Sequence, residues 1–384
     1  MNPTIPNSPF PVVPRVLDLP RLLEARSHFL LGPRLTGKSF LIRQSLPKVR
    51  VYDLLDSATY LALSHDPGRI GTELTPQDRF VVVDEIQRLP ELLNEVHRLI
   101  ESHGIHFLLT GSSARKLRSG GVNLLGGRAR TKHLHPLTRV ELGEHYRLER
   151  ALASGLLPSI YFSDDPKADL DAYAGAYLQQ EIVAEGAVRN IPAFSRFLRV
   201  AALCNATVVN YTKLANDTQV ARTTIYEYFE ILRDTMILHE LPAWKKSVRR
   251  KPLASSKYYL FDIGVVGSLQ GRPFQLGTPE SGHAMETLLL HELVCHRDYR
   301  SGESLHFWRS DSGFEVDFII DDHTAVEMKA STNVSLGDLK SLRALAEEKT
   351  LKRLVCVTLE STPRVIDGIE LIPFERFLEE LWAG

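Results

Sequence analysis

Gly32 is followed by four residues and then by Gly37-Lys38-Ser39, inside the stretch GPRLTGKSF. These residue types at this spacing suit the chemistry of holding a nucleotide phosphate. Glycines let the backbone turn tightly so that its N–H groups face an anion, the lysine reaches the outer phosphates, and the serine hydroxyl meets Mg2+. The expected phosphate contacts run through Gly32, Pro33, Arg34, Leu35, Thr36, Gly37, Lys38, Ser39 and Phe40.

Asp84 and Glu85 end the apolar run FVVVDE. At that position Asp84 suits the Mg2+ shell, and Glu85 is the expected catalytic base that polarises an attacking water. Ser112, with Thr110 and Ser113, is a candidate sensor of the γ-phosphate, and a plain helix cap uses the same residue types. Arg128, with Arg130 as second choice, lies in GGRAR and is placed to act as a finger into a neighbour's nucleotide. A solvated basic loop reads the same way. The chain has no NKxD-type guanine reader, so ATP with Mg2+ is the expected cofactor pair.

A second constellation lies far downstream, with Asp317 in EVDFII and Glu327 and Lys329 in AVEMKA. Residues two apart on a strand share a face, so Glu327 and Lys329 point the same way. Asp317 and Glu327 suit a hard cation, Mg2+ or Mn2+, with Lys329 beside a nucleophilic water and Glu286 as an extra ligand. Charged residues alternating on exposed strands give the same pattern with no metal.

A third group suits DNA. TKLANDT, a turn and RTTIYEYFEILRDT have the spacing of a helix-turn-helix, with Arg222, Thr223, Thr224 and Tyr226 at the end that faces a groove. Lys245, Lys246, Arg249, Arg250 and Lys251, in KKSVRRK between two strand patterns, would contact phosphates as a wing. A solvated loop is the plain alternative. His133 and His135 alternate on one predicted strand and read as ordinary packing.

Positioning these groups requires particular elements. SHFLL, FVVV and HFLL are short runs apolar on both faces, the signature of a parallel sheet, and the phosphate stretch joins the first of them to a helix. The predicted fold class is therefore α/β. An ATPase core over 1–140 leads to a helical connector over 141–205, then a winged-helix region over 206–265 and an α/β nuclease-like domain over 266–384.

The series GPRLTGKS, VVVDEIQ, LLTGSS, GGRAR and HLHPLT resembles the AAA+ ATPases, in particular a prokaryotic group with a nuclease-like C-terminal half. LLPSIYF, YLQQEIVAEGAVRN and YYLFDIGVV resemble that group too, so the likeness covers roughly residues 10–380. It implies a homo-oligomer, typically a hexameric ring, and a lid-like connector. The Asp317, Glu327 and Lys329 arrangement resembles the PD-(D/E)xK endonuclease superfamily, although Val316 stands where a proline is usual. The expected activity is an ATPase motor coupled to a metal-dependent DNA endonuclease, acting on double-stranded or branched DNA. The alternatives are an ATP-controlled switch with an inactive nuclease-like domain and a remodeller of a protein partner.

Composition fits these readings. The chain has 384 residues, 43% of them hydrophobic and 24% charged, with a formal charge of −1, so any nucleic-acid surface must be a local patch. Cys204, Cys295 and Cys356 are far apart, which speaks against a zinc ribbon or disulfide framework and fits a reducing cytoplasm. No apolar run reaches the roughly 18 residues of a membrane span, and the N-terminus lacks the order of a signal peptide.

Overall fold

A computed structural model describes residues 11–112, 115, 125–177, 190–247 and 255–383. Ser113 and the basic residues Arg249, Arg250 and Lys251 lie outside the described residues.

The N-terminal sheet holds five parallel strands: β1 (Ser27–Leu31), β2 (Arg50–Asp53), β3 (Phe80–Asp84), β4 (His106–Gly111) and β5 (Ala129–His133). Their order is β2-β3-β4-β1-β5. Every residue of β1 is buried, as are Val81, Val82 and Val83 of β3, because helices cover both faces of such a sheet. The chain leaves β1 between β4 and β5: Gly32 N donates to Gly111 O at 3.3 Å and Leu134 N to Leu31 O at 2.8 Å. A side chain on Gly32 would run into the Leu134 carbonyl, so only glycine lets the loop pass so close. Helix α1 (Lys38–Ser45) opens directly after the loop. Helix α2 (Leu92–His103) buries Leu92, Leu93, Val96 and Leu99, the i, i+3, i+4 face its sequence spells out.

Further along come α3 (Ile191–Leu203), α4 (Tyr211–Thr218) and α5 (Arg222–Asp234). Asn210 starts α4 by accepting from Lys213 N at 3.0 Å, and Gln219 ends it in the left-handed region at φ 56°. A small antiparallel sheet follows, made of β6 (Thr207–Val208), β7 (Leu238–Leu241) and β8 (Lys257–Leu260) in the order β6-β8-β7. Helix α6 (Ser281–His296) is buried over most of its length. A six-stranded sheet comes next, built from β9 (Leu305–Arg309), β10 (Glu315–Ile320), β11 (Thr324–Lys329), β12 (Arg353–Thr358), β13 (Arg364–Ile366) and β14 (Ile369–Pro373). The order is β13-β14-β12-β11-β10-β9, with β10 and β11 paired as an antiparallel hairpin.

One apolar core runs from Leu137 through Phe197, Phe229 and Tyr259 to Leu289, Phe318 and Leu378, so described elements of the middle and C-terminal parts pack around shared residues, beside a second cluster around Trp308 and Leu342. Asp262 ties distant segments together: its carboxylate accepts from Leu156 N at 2.7 Å and Val265 N at 3.1 Å, filling the space a side chain on Gly155 would need. Burial pushes that carboxyl up to about 6. Among the described residues no helix is long and apolar enough to cross a membrane.

Candidate nucleotide site and a lysine-filled carboxylate cluster

The phosphate stretch forms a loop between β1 and the N-terminus of α1. Leu35 at φ 63° and Gly37 at φ 93° turn the backbone back on itself. Lys38 is buried, and its Nζ donates to Gly32 O at 2.7 Å and Pro33 O at 3.1 Å, so the ammonium lies within the loop it serves. Thr36 Oγ1 closes the turn on Pro33 O at 2.8 Å. Ser39 Oγ donates to Asp84 Oδ2 at 2.9 Å, and Thr110 holds the other oxygen of that carboxylate. A hydroxyl and a carboxylate side by side at the loop are the donor set Mg2+ takes in phosphate sites, so these residues fit the ion.

Glu85 follows Asp84 in the left-handed region, at φ 60°. That turn aims its carboxylate at the Gln87 amide, which also reaches Ser112 Oγ at 3.3 Å. Glu85, Gln87 and Ser112 are all buried beside the loop, so β3 and β4 bring the expected base and sensor together. Arg128 is elsewhere. It precedes β5 at the end of the sheet opposite the loop and pairs with Glu101 of α2 on the surface.

Two features of the site had no signal in the local sequence. An apolar cavity of about 220 Å3 adjoins the loop, lined by Val13, Leu35, Phe40, Leu137, Pro158 and Phe162 among others. It has the lining expected for a flat aromatic base. Arg15 lies on its border, its guanidinium donating to Thr36 O at 2.7 Å, His135 O at 2.6 Å and Glu141 Oε1 at 2.9 Å. It fastens the phosphate loop to the segment after β5.

In the C-terminal sheet Asp317 and Glu327 face each other across the hairpin, as the spacing predicts, and Met328 N donates to Asp317 Oδ2 at 2.8 Å. Lys329 Nζ meets Glu327 Oε1 at 2.6 Å. The cation between the acids is a residue that no sequence motif marks. Lys257 of β8 is buried with its Nζ 3.0 Å from Glu286 Oε1 and 3.6 Å from Asp317 Oδ1, and it also pairs with Glu315. Tyr259 donates to Glu286 Oε1 at 2.6 Å.

Lys257, Tyr259 and the nearby His283 hold the Glu286 carboxyl below its ordinary range against the cost of burial. Burial and the Glu286 charge push Asp317 up to about 8. Among the described residues Glu286, Asp317 and Glu327 do not come within mutual ligand distance. As a three-carboxylate cage these residues do not fit a metal, because an ammonium already neutralises two of them. One atom has no such partner: Glu327 Oε2 is buried with no hydrogen bond.

Arg222 and Thr223 are exposed at the start of α5 and Thr224 is half-buried. Arg222 lies over the Tyr226 ring, which stacks on Tyr211 at 4.0 Å. Lys245 is exposed, and Lys246 pairs with Asp322 at 2.7 Å. The expected pair of helices and two flanking strands is therefore present, with the centre of the basic segment outside the described residues.

Residues 24–143 match the family described as "AAA domain". This part of the chain, which holds the phosphate loop, is similar to AAA-type P-loop ATPase domains. Residues 145–276 and 281–377 match two domains of unknown function, DUF8612 and DUF4143. The uncharacterized proteins Rv2008c of Mycobacterium tuberculosis and Mb2031c of Mycobacterium bovis are each 26% identical over 343 residues, covering 85% of this chain and 75% of theirs. Among solved structures, the Walker-type ATPase PABY2304 of Pyrococcus abyssi is 16% identical with a TM-score of 0.44, over 66% of this chain and 93% of that one. The Aeropyrum pernix ORC1 protein in complex with DNA is 13% identical with a TM-score of 0.28, over 68% and 94%.

The stretch similar to AAA domains contains the loop, Asp84, Glu85, Ser112 and Arg128. Arg15, Val13, Pro158 and Phe162, which border the apolar cavity, lie outside the matched stretch. Arg222 to Thr224, Lys245, Lys246 and Lys257 fall in the second matched region, and Glu286, Asp317, Glu327 and Lys329 in the third.

Proposed function

We propose that this chain is an ATP-hydrolysing switch that binds DNA through α5 and the basic segment, with a C-terminal carboxylate site closed by Lys257 instead of charged with metal. The observation that carries the reading is the contrast between two sites. At the loop, Ser39 and Asp84 leave a pair of oxygen donors beside a lysine and a carboxylate base. At the hairpin, the acids are already matched by a buried ammonium.

In hydrolysis Lys38 exchanges the Gly32 and Pro33 carbonyls for β- and γ-phosphate oxygens. Ser39 and Asp84 would hold Mg2+, which would supply positive charge against that developing on the phosphate oxygens. Glu85 orients the water and takes its proton, with Gln87 fixing the carboxylate. The cavity around Val13 and Phe162 takes adenine. Arg128, half-buried at the far end of the sheet, acts on a neighbouring copy's nucleotide in a homo-oligomer, with a six-membered ring as the proposed form.

Arg222, Thr223 and Thr224 at the start of α5 would meet a groove, and Lys245 with Lys246, Arg249, Arg250 and Lys251 would meet phosphates. Fluorescence anisotropy of labelled duplex and four-way DNA tests this reading. Replacing Arg222, Lys245 and Lys246 with Ala should weaken binding to every sequence and flatten the dependence of log K on log salt by up to about 0.9 for each phosphate no longer neutralised. An unchanged slope refutes DNA binding at these residues and leaves a protein partner.

A second reading keeps a live nuclease in which Asp317, Glu327 and Lys329 cut DNA with Mg2+ or Mn2+. What favours it is Glu327 Oε2, a buried acceptor without a donor. Cleavage by the wild type that Asp317→Ala abolishes would establish it.

A further inference from the structure

His133 and His135 alternate as packing residues would, yet they do not face a plain core. His133 ends β5 and His135 follows two residues on, at the edge of the AAA sheet. Asp298, in the turn after α6, is brought to both: its Oδ2 lies 2.7 Å from His135 Nε2 and 3.4 Å from His133 Nδ1. Among the described residues these three form the one group whose ligand atoms all lie within 4.8 Å of one another. They line a cavity of about 460 Å3, and its opposite wall is β7. From there His239 enters with its Nε2 buried and without a hydrogen-bond partner, its ring centroid 5.8 Å from that of His135.

We propose that these groups form a site for one divalent transition-metal ion of the Zn2+ type, with Asp298, His133 and His135 as ligands and His239 or water completing the shell. Three imidazoles and one carboxylate are donors that such ions prefer over oxygen alone. The supporting contacts are already in place. Arg297 Nε donates to Asp298 Oδ1 at 2.7 Å, leaving Oδ2 for the ion, while Tyr299 OH accepts from His135 N at 3.0 Å and Arg15 holds the His135 carbonyl. Such outer contacts orient ligands.

The positive groups facing the cavity are Arg297, paired with Asp298, and Arg233, paired with Glu240 at 2.6 Å. An anion would meet both carboxylates, so the site suits a cation. An ion here would join β5 of the AAA domain to β7 and to the turn after α6. Through Arg15 it would sit one residue from the phosphate loop.

Titration of the metal-stripped, nucleotide-free protein with Zn2+ and, separately, with Co2+ tests the site. The wild type should take up one more Zn2+ per chain than His133→Ala/His135→Ala, and its Co2+ form should show visible bands that Zn2+ removes. His133→Asn, at a half-exposed position, should lower the affinity at least about 10-fold with an unchanged circular dichroism spectrum. Equal uptake by the wild type and the double variant, or a Co2+ spectrum without such bands, overturns the proposal. If the double variant fails to fold, His133→Asn decides alone.

Discussion

Lys257→Met removes the ammonium while keeping a side chain of similar length, and the surroundings set the size of the effect. Glu286 is buried, Asp317 nearly so, and Glu315 partly exposed, with side-chain exposures of 8%, 15% and 29%. The loss therefore falls mainly on the first two. Breaking a buried ion pair from one side costs about 3–5 kcal/mol, because the remaining charge stays buried and uncompensated.

That cost depends on pH in a defined direction. Without Lys257 the Glu286 carboxyl rises above its unfolded value and Asp317, already raised, rises further; a carboxyl raised in this way favours folding at low pH and loses that favour as pH climbs through the folded value. The deficit of Lys257→Met relative to wild type should accordingly be largest near pH 8 and shrink toward pH 5. Mn2+ should stabilise the variant more than the wild type by restoring a cation between the acids. Urea unfolding followed by tryptophan fluorescence, with buried Trp244 and Trp308 as reporters, measures all of this. A deficit below about 1 kcal/mol at pH 8, or one equal at both pH values, would refute the neutralising role of Lys257 in the cluster.

Arg15→Ala should lower ATP affinity about 10-fold or more in a fluorescent-nucleotide titration, since each charge-assisted hydrogen bond contributes about 1.5–3 kcal/mol and Arg15 makes one to the loop itself. Unaltered affinity would mean the loop holds its shape alone. Arg128→Ala should slow hydrolysis while leaving nucleotide affinity nearly intact, and a monomer with full turnover by light scattering would dispose of the trans-acting finger. Glu292, whose carboxyl burial pushes up to about 7, should make the wild type lose stability as pH rises from 5 to 8. Glu292→Gln should flatten that dependence in thermal melts, at a cost of about 1 kcal/mol for one of the two hydrogen bonds received from Arg139 N and Trp382 Nε1.

The phosphate-loop stretch was legible because its elements are local. A strand, a glycine loop and a helix occupy one contiguous stretch, and the acidic strand end repeats that economy at Asp84 and Glu85. The β10–β11 hairpin was legible for the same reason. Its content was not, because the hairpin pattern is the same whether a metal or a lysine sits between the acids, and Lys257 in SSKYYLFD reads as an ordinary strand residue. Only the packing of β8 against α6 and β10 puts its ammonium there. Arg15 is separated from His135 by 120 positions and Asp298 from His135 by 163, so no window of sequence contains either contact. The apolar cavity is likewise assembled from segments on both sides of the AAA domain.

In the proposed function the energy of ATP drives a switch and not a cut. One incubation addresses it most directly: wild-type protein with ATP, Mg2+ and labelled four-way DNA, with phosphate release and strand integrity followed in the same tube, beside Glu85→Gln and Asp317→Ala. A switch predicts steady phosphate release by the wild type and by Asp317→Ala, severe slowing by Glu85→Gln, and intact DNA throughout. Strand cleavage that disappears in Asp317→Ala, or phosphate release that Glu85→Gln leaves untouched, would contradict it.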